Sequence, residues 1–282
     1  EVFTVSEAST GLTVTAKTGF TSTTTANNDA ITINLGAAKF GTLTLGNVAN
    51  DSTTGYEYDT VNLVLSGDGS ATLAEAGSSS GWNATTDTIN VTGTGDFELD
   101  IADAQIGGNT ISGSVVASKI DASGHIGSLT VDIGTADLIY SSAKNWTGVD
   151  KIKVATDDAN SSDATKIFDV ASGTEVIVTA TESTANTLTI DPNGSATGES
   201  LTVTLNSATA GTSASFATLT TDGFETLTIN STGTDSSSTT VKNVITNVDG
   251  LSTDTTLLLT GDKKLTIGTA ATHFVENTWT TI

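Results

Sequence analysis

The chain has 282 residues, of which 36% are hydrophobic and 5% aromatic, and its formal net charge is -22. This composition argues against one deep core and favours thin apolar layers that repeat along the chain. Binding to phosphates needs clustered cations, so we expect neither a nucleic-acid partner nor an anionic lipid surface. Cysteine is absent, which excludes disulfides, zinc–thiolate sites and thiol catalysis.

No apolar run approaches the roughly 20 residues that span a bilayer, so we expect no membrane insertion. The sequence also lacks methionine. We therefore expect an interior or C-terminal fragment of a longer protein, whose export signal lies outside this sequence.

Short β-prone segments, rich in Thr, Val, Ile and Leu, recur along the whole chain between turns of Gly, Asn, Asp and Ser. Short helical turns are predicted at 73–76 and 241–248. Strands are predicted at 11–16, 30–35, 39–45, 60–65, 88–91, 97–101, 129–133, 151–154, 175–180, 187–190, 201–205, 226–230, 255–259 and 264–267.

One phrase occurs three times, at 61–69, 89–101 and 257–267: an apolar run, a corner of Gly and Asp, and a second apolar run or its start. Units that cannot bury their own apolar face stack into solenoids. The sequence thus predicts an all-β fold, an elongated parallel β-solenoid-like stack of short strands. The alternative is a series of tandem β-sandwich domains. We expect one repetitive region over 1–282, with a bend or boundary near the Ser/Asp-rich stretch at 156–164.

The excess of carboxylates makes calcium the expected cofactor, because calcium takes oxygen ligands from carboxylates, carbonyls and water. If Phe97 and Leu99 point inward, Asp100 points outward on the same strand. The alternative for each group of carboxylates is plain solvation. Three groups near turns are the predicted metal ligands: Asp96, Asp100 and Asp103; Asp157, Asp158 and Asp163; and Asp249 with Asp254.

Three segments resemble phrases that recur in the S-layer proteins exported by type I secretion in Gram-negative bacteria, a calcium-dependent, RTX-related family. They are KIDASGHIGSLTV (119–131), FETLTINSTG (224–233) and LTGDKKLTI (259–267). The resemblance covers the last two-thirds of the chain, whereas the first third shares only composition. In that family an Asp recurs at the position of Asp121, and we expect it to brace a turn through side-chain hydrogen bonds.

The resemblance implies a non-enzymatic structural protein that is secreted without a cleaved leader and forms a calcium-dependent lattice on the cell surface. The expected partner is a second copy of the chain, and surface polysaccharide would be bound by regions outside this segment. Such proteins often carry glycine-rich nonapeptide calcium repeats. The segments 67–69 and 93–99 approach that pattern without completing it, so calcium is expected at isolated strand corners.

Two other functions share this composition. One is the stalk or passenger segment of a secreted adhesin, which would bind a receptor or glycan without forming an array. The other is a secreted polysaccharide-degrading β-helix enzyme, whose groove would combine a basic residue with paired carboxylates. The chain has only 10 Lys and Arg, which argues against the enzyme.

Overall fold

A computed structural model describes the chain in sixteen segments, and within them every regular element is a β-strand. In this part of the chain there is no helix that could cross a membrane. The described residues are 2–5, 9–16, 30–36, 39–47, 60–76, 88–101, 119–133, 140–154, 164–179, 187–194, 197–207, 210–221, 223–234, 241–250, 256–268 and 274–275.

The chain divides into two compact units. The first consists of Glu1–Asp132 and Asn145–Asp150, and the second of Ile133–Lys144 and Lys151–Ile282. The predicted bend at 156–164 falls almost entirely on residues outside the described part.

The first unit contains two sheets in which all neighbouring strands run parallel. Numbered in chain order, the strands of sheet I are β1 (Val2–Val5), β3 (Ala30–Leu35), β5 (Thr60–Ser66), β7 (Thr88–Thr94), β9 (Lys119–Ile126) and β12 (Trp146–Thr147). Those of sheet II are β2 (Ser9–Ala16), β4 (Lys39–Asn47), β6 (Gly69–Ala76), β8 (Phe97–Asp100) and β10 (Leu129–Asp132).

The second unit repeats this plan, again with parallel neighbours throughout. Sheet III contains β13 (Lys151–Val154), β15 (Glu175–Val178), β17 (Ser200–Ser207), β19 (Thr226–Gly233) and β21 (Thr256–Gly261). Sheet IV contains β11 (Tyr140–Ser142), β14 (Ala164–Val170), β16 (Thr187–Pro192), β18 (Ser215–Thr221), β20 (Asn243–Gly250) and β22 (Leu265–Ile267), and β23 (Phe274–Val275) also pairs with β20.

Along most of each unit, consecutive strands alternate between the two sheets, and each strand pairs with the strand one turn later. This arrangement is a parallel β-solenoid, so the predicted fold class is confirmed. Tandem β-sandwiches are built from antiparallel sheets, and that alternative is wrong.

Apolar residues at alternate positions of successive strands form columns inside each unit. In sheet I, Ile31, Val61 and Ile89 occupy the same register and are at most 1% exposed. In sheet III, Val203 and Ile229 stack in the same way and are fully buried. Each such side chain contributes about 1.5–3 kcal/mol by leaving water. Stacking therefore gives every turn a core that no single turn possesses.

The predicted helical turns at 73–76 and 241–248 are wrong, since 73–76 belongs to strand β6 and 243–248 to strand β20. Ile245 and Val248 are both fully buried, and their spacing of three fits one turn of a helix. In the structure they pair in register with Phe216 and Leu219 of β18. Because parallel neighbours supply the backbone hydrogen bonds, this pairing outweighs the local spacing.

Candidate functional site

Three short connections between sheets I and II stack on one another in the first unit, and we call them the Gly/Asp corners. They lie at 67–68 between β5 and β6, at 95–96 between β7 and β8, and at 127–128 between β9 and β10, where Ser128 takes the place of the Asp. Gly95 has a φ of 112°, a conformation that favours glycine. A Cβ on Gly95 would collide with the backbone of Gly67 and would lie 2.7 Å from Asp68 N. Glycine therefore allows successive turns to approach closely.

The aspartates of these corners accept hydrogen bonds from the backbone of the next turn. Asp96 N donates to Asp68 Oδ1 at 2.8 Å, and Ser128 N donates to Asp96 Oδ1 at 2.9 Å. Asp150, which follows β12, bonds in the opposite direction along the chain, since its Oδ2 accepts a bond of 2.8 Å from Leu129 N of the preceding turn. Each carboxylate satisfies an amide that the strand ladders leave without a partner.

The outward face of sheet II carries further carboxylates just beyond these corners. Phe97 and Leu99 point inward and are at most 4% exposed, so the predicted alternation along β8 is confirmed. Asp100 lies outward, opposite Asp132 in the parallel register. Its Oδ2 accepts a hydrogen bond of 3.2 Å from Thr72 Oγ1. Two carboxylates in register on neighbouring strands repel each other, and a bound cation would relieve that repulsion.

Of the eight predicted metal ligands, three lie in the described part of the chain. Asp96 belongs to a Gly/Asp corner, and Asp100 lies at the end of β8 on the outward face of sheet II. Asp249 is in β20 of the second unit, opposite Thr220. The described residues contain no group of three or more His, Cys, Asp or Glu side chains placed to hold a metal ion. Outside the described residues lie Asp103, Asp157, Asp158, Asp163 and Asp254.

Asp121 stabilises the local backbone of β9 through side-chain hydrogen bonds, as the sequence predicts. Its Oδ1 accepts hydrogen bonds from Ser123 Oγ at 2.6 Å and from Ser123 N at 3.2 Å. These bonds, with a smaller contribution from Lys119 at 3.5 Å, hold the pKa of Asp121 below its ordinary value.

The third copy of the sequence phrase forms a different kind of corner. Lys263, which follows Gly261 and Asp262, is only 4% exposed. Its Nζ donates to Thr212 O at 2.8 Å, to Thr234 O at 3.0 Å and to Ser207 Oγ. A buried ammonium with all three protons bonded is a structural group.

Asn243 lies buried in the same part of the second unit and is fully enclosed. Its Nδ2 donates to Leu205 O, Ser231 Oγ and Thr232 O at 3.0–3.1 Å, and its Oδ1 accepts a bond of 2.9 Å from Ala214 N. Sequence reasoning missed this residue and Lys263, because their partners are distant in the chain and no local pattern marks them.

Sequence reasoning also missed Glu199 and Glu225 at the start of sheet III strands. A signal for them exists: a glutamate immediately precedes the strand at both positions, and Glu175 begins β15. Glu199 and Glu225 occupy the same register position in consecutive turns, whereas Glu175 lies opposite Thr202, three residues further along.

Polar side chains on the outward faces join one turn to the next. Asn90 Nδ2 donates to Asn62 Oδ1 at 2.8 Å, and Asn62 Nδ2 donates to Thr32 Oγ1 at 3.3 Å. In sheet III, Asn230 Nδ2 donates to Thr204 Oγ1 at 3.3 Å. The result is a set of polar rows that repeat along each unit.

Comparison with known proteins gives no relative for this chain. No protein-family model matches it, and neither a curated protein nor a solved structure matches it significantly.

Proposed function

We propose that this chain is a lattice-forming segment of a bacterial S-layer, a non-enzymatic structural protein that is secreted by the type I route and assembles on the cell surface with calcium. The observation that carries the proposal is the repetition of polar and acidic rows on the outer faces of a parallel β-solenoid. Such rows present the same chemistry at regular intervals, which suits contact between many identical copies.

Calcium is part of this proposal because the net charge of the chain is -22. Copies of so acidic a chain repel one another at low ionic strength. The outward carboxylates Asp100 and Asp132 stand in register on neighbouring strands. Calcium bound between such groups on two copies would neutralise them and join the copies. Assembly would then follow the concentration of extracellular calcium.

Neutral contacts would complete the lattice. Outward Thr and Asn side chains, such as Asn62 and Asn90, combine donors and acceptors in one row. Rows of this kind are self-complementary and add hydrogen bonds without further charge. The main partner is thus another copy of the chain, and surface polysaccharide is assigned to regions outside this segment.

Electron microscopy of the purified protein tests this proposal. We expect two-dimensional arrays in millimolar calcium, dispersal on chelation and a lower melting temperature without calcium. Magnesium at the same concentration is the control, because it screens charge equally and holds its waters more firmly. Arrays that survive chelation would overturn the calcium part.

Protein that remains monomeric in calcium while binding a receptor or glycan would instead indicate an adhesin stalk. Hydrolysis of acidic or neutral glycans in an activity screen would indicate the polysaccharide-degrading enzyme.

A further inference from the structure

One corner of the second unit buries a carboxylate. Glu199 immediately precedes β17 and is only 6% exposed. Its Oε2 is buried and has no hydrogen-bond partner among the described residues. A buried carboxylate without a partner is costly, because nothing replaces the water that it has lost. No described protein group compensates this oxygen.

A second carboxylate lies against the backbone of Glu199. Glu225 immediately precedes β19, and its Oε2 accepts a hydrogen bond of 2.7 Å from Glu199 N. The backbone register continues on both sides, since Thr226 N donates to Glu199 O at 3.1 Å and Thr256 N donates to Glu225 O at 2.9 Å. The two glutamates thus occupy the same position in consecutive turns, with their side chains at one corner.

A lysine does not neutralise Glu199. Glu175, which lies one turn earlier and opposite Thr202, forms an ion pair of 3.3 Å with Lys151. Glu199 forms no such pair with any lysine in the described part of the chain. Glu175 thus has a cationic partner, whereas Glu199 has none among the described residues.

A divalent cation suits this pair of carboxylates. No described donor forms a hydrogen bond with Glu199 Oε2. Glu225 accepts a backbone N–H through its Oε2. Two carboxylates at the same register position of consecutive turns, one of them with a buried oxygen that no described donor meets, provide the hard, anionic ligands that a divalent cation prefers.

We propose that Glu199 and Glu225 bind one divalent cation of the calcium class at this corner of the second unit. The two carboxylates supply at most four oxygen ligands, and waters complete the six to eight that calcium takes. With only two protein carboxylates, we expect an affinity of about 10⁻⁴–10⁻³ M, as in extracellular calcium modules. The site belongs to a single copy of the chain and does not depend on the lattice.

Calcium binding to the monomer tests the proposal. Wild type, Glu199→Gln, Glu225→Gln and the control Glu175→Gln are dialysed against calcium, and bound calcium is measured by elemental analysis. We expect both test variants to bind one ion fewer per chain than wild type and Glu175→Gln to bind the same number. Calcium should also raise the melting temperature of wild type and Glu175→Gln more than that of Glu199→Gln.

Equal calcium stoichiometry in wild type and both test variants would overturn the site, as would wild-type protein that binds no calcium. If a variant fails to fold, crystals of wild type soaked in strontium decide the question by anomalous scattering. A peak between Glu199 and Glu225 supports the site, and its absence overturns it. Because all measurements use the monomer, failure of lattice assembly would leave this result unaffected.

Discussion

Ser128 N donates a hydrogen bond of 2.9 Å to Asp96 Oδ1, across 32 residues of sequence and one turn of the solenoid. The carboxylate that sequence reasoning assigns to calcium thus has a partner within the protein. One turn earlier, Asp68 Oδ1 likewise accepts a hydrogen bond from Asp96 N. The Gly/Asp corners are therefore held by side chain–backbone bonds that repeat from turn to turn.

Replacing Asp96 by Ala should destabilise the first unit in calcium and in chelator alike. The bond is charge-assisted but exposed, so we expect a loss of about 1–2 kcal/mol in the free energy of unfolding. Asp96→Asn should lose less, because its amide oxygen still accepts the bond. Urea denaturation with and without calcium measures these values.

The matched control for this experiment is Asp262→Ala. Asp262 also follows a corner glycine, but it is exposed and has no hydrogen-bond partner among the described residues. Its loss should stay within about 0.5 kcal/mol. An effect of Asp96→Ala that appears only in calcium would instead make Asp96 a metal ligand.

Glycine substitutions separate backbone strain from crowding between turns. Gly261 and Gly194 have nearly the same φ, 107° and 110°. A Cβ on Gly261 would lie 2.6 Å from both C and N of Ser231, whereas one on Gly194 would meet no atom within 4 Å. Both changes to Ala incur strain of about 1–2 kcal/mol. Gly261→Ala should cost clearly more or abolish folding.

Thermal melts of the two variants, followed by circular dichroism, measure this difference. Similar melting temperatures for Gly194→Ala and Gly261→Ala would show that turns adjust to a side chain at the corner. Close stacking of backbones at Gly261 would then not constrain the sequence.

The strands were predictable because their signal is local. The segments 30–35 and 151–154 coincide with β3 and β13, since β-branched residues alternate there with polar ones. Strand β9 was missed because Asp, Ser, Gly and His fill it. Its parallel neighbours β7 and β12 supply the order that its own sequence does not indicate.

The corners show where sequence reasoning reaches its limit. Asp121 was predicted correctly as a turn brace, because its partner Ser123 is two residues away. The partner of Asp96 is 32 residues away, and the register between turns decides which atoms meet. For the same reason, two similar Gly/Asp sequences have different roles. Asp96 lies in an exposed corner, whereas Lys263, which follows Gly261 and Asp262, is buried.

The titration of Asp121 tests the turn brace. Its pKa lies below the ordinary value because Ser123 donates two hydrogen bonds to the carboxylate. A depressed pKa contributes stability above the ordinary value of 3.8, and the contribution is lost as the pH falls through the lower folded value. Ser123→Ala should raise the pKa of Asp121 towards 3.8.

Carbon-13 NMR of the side-chain carboxyl follows this titration directly. High salt provides the control, because it screens Lys119 and leaves the hydrogen bonds in place. The shift should thus persist in salt in wild type. A pKa that returns to normal in salt alone would assign the effect to Lys119.

We expect substitution of Lys263, whose ammonium is buried, to cause the largest loss of stability of any single substitution in the second unit. Lys263→Met keeps much of the length of the side chain and removes the donor to Ser207 Oγ, Thr212 O and Thr234 O. Each buried acceptor left without a partner costs about 1–3 kcal/mol, so we expect a total loss of at least about 3 kcal/mol.

Lys264→Met is the control, because Lys264 is the next residue and is exposed. It carries the same change of charge, so long-range electrostatic effects on stability should be similar in the two variants. Urea denaturation should show a change within about 0.5 kcal/mol for Lys264→Met. Equal stability of the two variants would mean that water or a mobile ion replaces the ammonium, and that Lys263 does not hold the corner together.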